Sequence, residues 1–281
     1  MMNILRLDRR NSLYGIVLCI ALIWLYFPFV KTMVHDWGTN DDYSHGYFIP
    51  FLCAYFIYSM RDQLQKLDVR PKNIGLVLLL LGLAQLFVAK VGSELFLQRT
   101  SLILVLLGLI LFLLGWAFFK KLFLPICYLL FMVPLPAIIW NKIAFPMQLF
   151  ASAMTEKVVY VLGIPIYREG NVLHLAQAVL EVVAACSGLR SLMTMFALSG
   201  ALVLISPLLP KWKKWVLFFS AAPVAIVANI IRLTSTAVLA THYGADVALG
   251  FLHEASGLVV FLLGFAMLMT IYVAVSRKKA Q

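Results

Sequence analysis

Long apolar runs separated by short basic clusters leave this chain few ways to fold. The runs fall near residues 12–30, 46–60, 73–90, 100–118, 122–139, 187–206, 215–240 and 255–275, and stretches of roughly 15–25 apolar residues are what a helix needs to cross ~30 Å of hydrocarbon. Hydrophobic residues make up 63% of the chain and charged residues only 12%, more apolar surface than a water-soluble core of this length can hide. The expected class is therefore all-α: a polytopic helical membrane protein with about eight transmembrane helices. No internal repeat or soluble linker interrupts the pattern, so residues 1–281 are expected to form a single transmembrane domain.

The net charge of +11 would suggest nucleic acid in a soluble chain. Here the bases sit at every second boundary between apolar runs: RLDRR, RDQLQKLDVRPK, Lys120-Lys121, KWKK and SRKK. Clusters so placed are topology signals, so nucleic acid is not an expected partner, and the basic side is cytoplasmic with both termini inside. The first run follows a basic tail as a signal peptide would, but it lacks a small-x-small cleavage site and is read as a retained signal anchor.

The segment 140–163, WNKIAFPMQLFASAMTEKVVYVLG, is long enough to span. If it did, KWKK and SRKK would face outward, against the charge bias. Asn141, Gln148, Ser152 and Thr155 or Glu156 share a helical stripe, so it is expected to lie amphipathically on the outer interface or to re-enter from it. The stretch GIPIYREGNVLHL that follows has β-branched, alternating character about Arg168-Glu169-Gly170-Asn171, which suggests a short outer hairpin or ordered loop.

Cys19, Cys53, Cys127 and Cys186 are widely spaced without CxxC or Cys/His clustering, so neither disulfides, a metal site nor a cofactor is expected. Cys186, in VVAACSGLRSL, differs from the others in standing at an expected helix start. Ser187 and Gly188 follow it, and Arg190 lies one turn on. Oriented amides and a guanidinium favour a thiolate, although a lone cysteine in an apolar run is more often a small buried hydrophobe.

Arg232, in ANIIRLTSTAV, stands two to three turns inside a span, where a charge costs on the order of 3 kcal/mol unless it meets a partner or a wet cavity. Asn229, one turn earlier, could fix its rotamer. His253, at the start of the last run, could move the proton that thiol chemistry requires. Under the charge-derived topology Cys186, Arg232 and His253 approach the same outer face. The first outer loop, HDWGTNDDYSHGYFIP, with His45 near its end, could cap a site there or receive a basic segment of a substrate; it could equally be an ordinary solvated loop.

The runs DYSHG, PLP, GIPIYREGNVLHL with VVAACSGLRSL, PVAIVANIIRLTS and HEASGLVVF, in that order, resemble the exosortase and archaeosortase family. The resemblance implies a cysteine transpeptidase of the cytoplasmic membrane acting at its periplasmic or extracellular face. Such an enzyme recognises proteins with a C-terminal sorting signal: a short motif such as Pro-Glu-Pro, a transmembrane helix and a basic tail. It would pass the cleaved protein to a surface acceptor, lipid or polysaccharide among the options. By motif, Cys186 matches the nucleophile, Arg232 the arginine and His253 the third member; Arg190, Asn229, Ser187 and His45 are supporting candidates. Two other classes stay open. A transporter or flippase could line a path with Arg232 and His253, and a lipid-phosphate enzyme could use the same arginine and histidine.

Overall fold

The computed structural model describes residues 9–182, 188–244 and 251–276, with side chains for 15–182, 188–244 and 257–276. The protein is a helical multi-pass membrane protein, and its chain packs as two compact units, Met1–Pro136 and Ala137–Gln281.

The first unit contains α1 (Arg9–Thr39), a 3-10 turn (Asp41–Tyr47), α2 (Ile49–Ser59), α3 (Arg61–Leu64), α4 (Ile74–Val91), α5 (Leu95–Leu113), α6 (Trp116–Tyr128) and a second 3-10 turn (Leu129–Met132). α4 and α5 form a tight helical hairpin. A Cβ on Gly75 or Gly108 would stand within 2.5 Å of the facing backbone nitrogen of Phe112 or Leu79. Lipid supplies no hydrophobic drive between helices, so backbone-to-backbone approach over small residues has to supply the contact.

Segments that charge alternation puts on one side do meet. At one end of the unit Lys121 donates to Gln63, and the Arg70 amide to the Leu114 carbonyl. At the other, Trp37, Tyr43 and His45 converge on residues 131–135.

The second unit contains α7 (Ala137–Val161), strands β1 (Ile166–Glu169), β2 (Val172–Leu175) and β3 (Val179–Glu181), then α8 (Leu189–Ile205), α9 (Lys211–Phe219), α10 (Ala221–Tyr243) and α11 (Phe251–Ser276). α10 is the central helix, packed by α7, α8, α9 and α11. Lys213 in KWKK donates to the Val275 carbonyl near the end of α11.

Length and apolarity qualify five helices to cross a membrane, Gly15–Thr39, Ile74–Val91, Leu95–Leu113, Lys211–Tyr243 and Gly257–Ser276; Trp116–Met132 and Ala137–Val161 qualify only when taken together, as a sixth. Eight apolar runs produce fewer full-length helices because two runs fold short. α2 has 11 residues and α8 has 17, roughly 16 Å and 25 Å at the helical rise.

The segment expected to lie amphipathically is one helix, α7, with its stripe turned inward. Gln148, Ser152 and Thr155 are buried, while Ile138, Phe145, Phe150, Val158 and Tyr160 are exposed. Two residues of this face bond to the hairpin that follows. Ser152 donates to the Gly170 carbonyl at 3.0 Å, and Arg168 on β1 donates to Glu156 at 3.1 Å.

The expected hairpin forms, with Glu169 opposite Val172 and Gly170 at φ +62°. Glycine at the first central position suits a two-residue turn of the primed kind. A third strand, β3, is added antiparallel to β2; its three residues are too few to show alternation in sequence.

Candidate functional site

The site is organised along α10. On the stretch from Leu233 to Ala240, Leu233, Ala237 and Ala240 form one buried cluster with Ala151 and Val159 of α7 and with Leu173, Leu175, Leu180 and Val182 of the sheet region. On the stretch from Ala221 to Ala225, Ala221, Val224 and Ala225 pack with Met195 of α8. Arg232, half-buried, lies between these two stretches of α10.

The start of α8 is seated by one close contact. Gly188 has φ +82°, and a Cβ there would be 2.9 Å from the Asn229 side chain. α8 therefore begins level with Asn229, 14 residues before the end of α10, a depth of roughly 21 Å at the helical rise. Gly188→Ala is expected to impose left-handed strain of ~1–2 kcal/mol together with crowding of Asn229. A lower Tm in detergent and slower turnover would follow, and Asn229→Ala should relieve only the crowding. An unchanged Tm for Gly188→Ala would refute this seating.

Cys186 and Ser187 lie outside the described residues, but their flanks are in view. Val182 belongs to the buried cluster containing Leu233, and Gly188 abuts Asn229. Of these flanks, Gly188 lies directly against α10 at Asn229, one turn before Arg232. Arg190 is half-buried in the first turn of α8, where its carbonyl accepts from Thr194, and Asn229 is 1% exposed. His253 lies in the first turn of α11, with its side chain outside the described set. The other three cysteines are remote in sequence, and the buried Cys53 thiol donates to the Pro125 carbonyl, a packing role.

His45 belongs to a separate arrangement in the first unit. The stretch expected as the first outer loop is ordered: α1 runs through Thr39, and Asp41–Tyr47 form a 3-10 turn capped by Asn40, whose side chain accepts from the Asp42 amide. Three side chains clasp this region to the PLP segment. Trp37 Nε1 donates to the Met132 carbonyl at 2.8 Å, His45 Nε2 meets the Phe131 carbonyl at 3.1 Å, and the Leu135 amide N–H donates to the Tyr43 phenol oxygen. Gly46 admits the Trp37 ring, which a Cβ would overlap at 2.4 Å. Burial pushes the Tyr43 phenol up to about 12, so it stays protonated.

Burial also holds His45 below its ordinary 6.5, against opposing effects of the Phe131 carbonyl and Asp42. Its Nδ1 is buried without a partner, so the neutral ring donates from Nε2, and a second proton would find no acceptor. The folded protein then binds fewer protons than the unfolded one. The stability this contributes is full above pH ~6.5 and declines as pH falls through the folded value. Thermal unfolding in detergent should show Tm falling from pH 7.5 to 5.5, with the slope reduced in His45→Gln; parallel slopes would contradict it.

Sequence reasoning missed the pair beside this clasp. Arg99, 5% exposed in α5, donates to Asp36 of α1. Gln98 donates to the Ala89 carbonyl, and Ser101 meets the Tyr26 hydroxyl. The signal was the run QRTS at the head of an apolar stretch, four polar residues too many for one solvated edge of a helix.

The fold and this arrangement define a helical multi-pass membrane protein with a half-buried arginine in its central helix, one turn from the Asn229 side chain that seats the start of α8. A family model described as transmembrane exosortase (Exosortase_EpsH) matches residues 37–270, which include every motif named above. The chain belongs to the transmembrane exosortase family. No curated protein and no solved structure matches it.

Proposed function

We propose that the protein is a cysteine transpeptidase that cuts C-terminal sorting signals at the outer face of the cytoplasmic membrane, with Cys186 as nucleophile, Arg232 as oxyanion stabiliser and His253 as general acid and base. The observation that supports it most is the contact of Gly188, two positions after Cys186, with the side chain of Asn229, three positions before Arg232. Val182, four positions before Cys186, belongs to the buried cluster that includes Leu233, the residue after Arg232.

The Cys186 thiolate bonds to the scissile carbonyl carbon, and charge moves onto its oxygen. A guanidinium there is worth a few kcal/mol when aimed at that oxygen. The C–N bond breaks as His253 protonates the leaving amine, and the acyl group remains as a thioester. His253 then takes the proton of an incoming acceptor, whose attack releases Cys186; water in that place makes the reaction hydrolysis. Partners under this reading are proteins with the tripartite tail, a lipid or polysaccharide acceptor, and the bilayer itself, which holds enzyme and substrate helix at high effective concentration.

Intact mass of the purified enzyme incubated with a tailed substrate tests the reading. An acyl adduct that hydroxylamine removes and that maps to Cys186 is expected. Turnover of the substrate by an enzyme whose adduct maps elsewhere would overturn it.

A further inference from the structure

β3 is an edge strand with an open side. The Val182 amide bonds to the Asn171 carbonyl at 2.9 Å and the Leu175 amide to the Ala178 carbonyl at 2.8 Å. In an antiparallel ladder, residues that exchange bonds alternate with residues that do not. With Leu173 opposite Leu180, Leu180 bonds toward β2, so Val179 and Glu181 turn their N–H and C=O groups to the other side. Among the described residues no strand occupies that side, because the sheet order ends at β3.

The strand is also fixed in place. Leu180 and Val182 are buried in the cluster on α10, whereas the Val179 and Glu181 side chains are exposed. Open edges are commonly blunted by proline, a bulge or charged side chains, lysine above all; Val-Leu-Glu has neither proline nor lysine, and its one charge is Glu181. Two outward main-chain donor and acceptor pairs on an anchored strand match one kind of ligand, another extended main chain. The strand ends five positions before Cys186, which makes it continuous with the segment that does the chemistry.

Resting on the peptidase reading, we infer that the open edge of β3 binds the extended main chain of the substrate by strand addition, at Val179 and Glu181, next to the bond that is cut. Main-chain pairing reads backbone and not side chains. Substrates with different residues at the paired positions would be held equally well, and specificity would come from positions outside the pairing.

The test uses full-length enzyme in proteoliposomes and a semisynthetic protein ending in a transmembrane helix and a basic tail. Val179→Pro and Glu181→Pro each remove one outward N–H without touching the bonds to β2, and each is expected to lower kcat/KM roughly two- to tenfold. Val179→Thr, which keeps the N–H, should lose less than Val179→Pro. A second arm leaves the enzyme unaltered: esters replace single amides along the substrate ahead of the cut, and loss should concentrate at one or two alternate positions. A flat ester series overturns the proposal, as does a proline effect that tracks loss of chain self-association, which would make a second copy the occupant. The peptidase reading fails separately, if Cys186→Ala still cuts the substrate.

Discussion

A Cys186→Ala protein is expected to insert and accumulate like the wild type and to leave a tailed substrate uncut, a loss on the order of 10⁴-fold or more. Removing the nucleophile of an acyl-transfer enzyme leaves only oxyanion stabilisation and binding. Cys186→Ser should be nearly as impaired, since an alcohol without a dedicated base is a far poorer nucleophile than a thiolate at neutral pH. Arg232→Lys should lose on the order of 10²- to 10³-fold in kcat, because a compact ammonium does not present the planar fork of donors that an oxyanion can share. In a transporter, by contrast, Cys186→Ser would be tolerated and Arg232→Lys would alter flux. Substrate cleavage by immunoblot, beside total membrane-inserted enzyme, separates the two outcomes, and undiminished cleavage by Cys186→Ala would remove the peptidase.

Asp36→Asn is expected to be the most destabilising change in the first unit. The Arg99 side chain is 4% exposed and the Asp36 side chain 35%. Neutralising Asp36 strands a buried guanidinium, and breaking a buried pair from that side costs roughly 3–5 kcal/mol. Removing Arg99 leaves a carboxylate that water already reaches, so Arg99→Gln should cost less. Thermal unfolding in detergent checks the order: a lower Tm for Arg99→Gln than for Asp36→Asn would contradict it. The asymmetry belongs to the tertiary structure, because nothing in DW or QRTS alone says which partner is hidden.

Much of the architecture was legible because lipid imposes it one segment at a time. The positions of α1, α4, α5, α10 and α11 follow from run length. Two segments that the charge rule assigns to one side do meet within the first unit, at Gln63 with Lys121, and within the second Lys213 reaches the Val275 carbonyl near the end of α11. The hairpin about Gly170 was readable from its turn residues. α7 was readable as a helix with a polar stripe, but not in its orientation. A polar stripe points to water only where no partner needs it, and here Gly170 and Arg168 do.

At the candidate site, residue type alone drew attention to Cys186, Arg232 and His253, because charge, thiol and imidazole are conspicuous among apolar neighbours. What type could not supply was depth. α8 starts beside Asn229, 14 residues before the end of α10. That follows from Gly188, whose lack of a Cβ lets the turn sit against the Asn229 side chain.

By itself the sequence determined the class of the protein, the number and rough placement of its apolar runs and the chemical identity of its candidate groups, all of which depend on composition over short windows. Only the tertiary structure decided that DYSHG and PLP clasp one another, that Asp36 and Arg99 pair, that β3 is open along one edge, and that Gly188 at the head of α8 sits against Asn229. Each of these joins residues far apart in the chain through hydrogen bonds or close packing, and such pairings leave no periodic trace in either partner's own stretch of sequence.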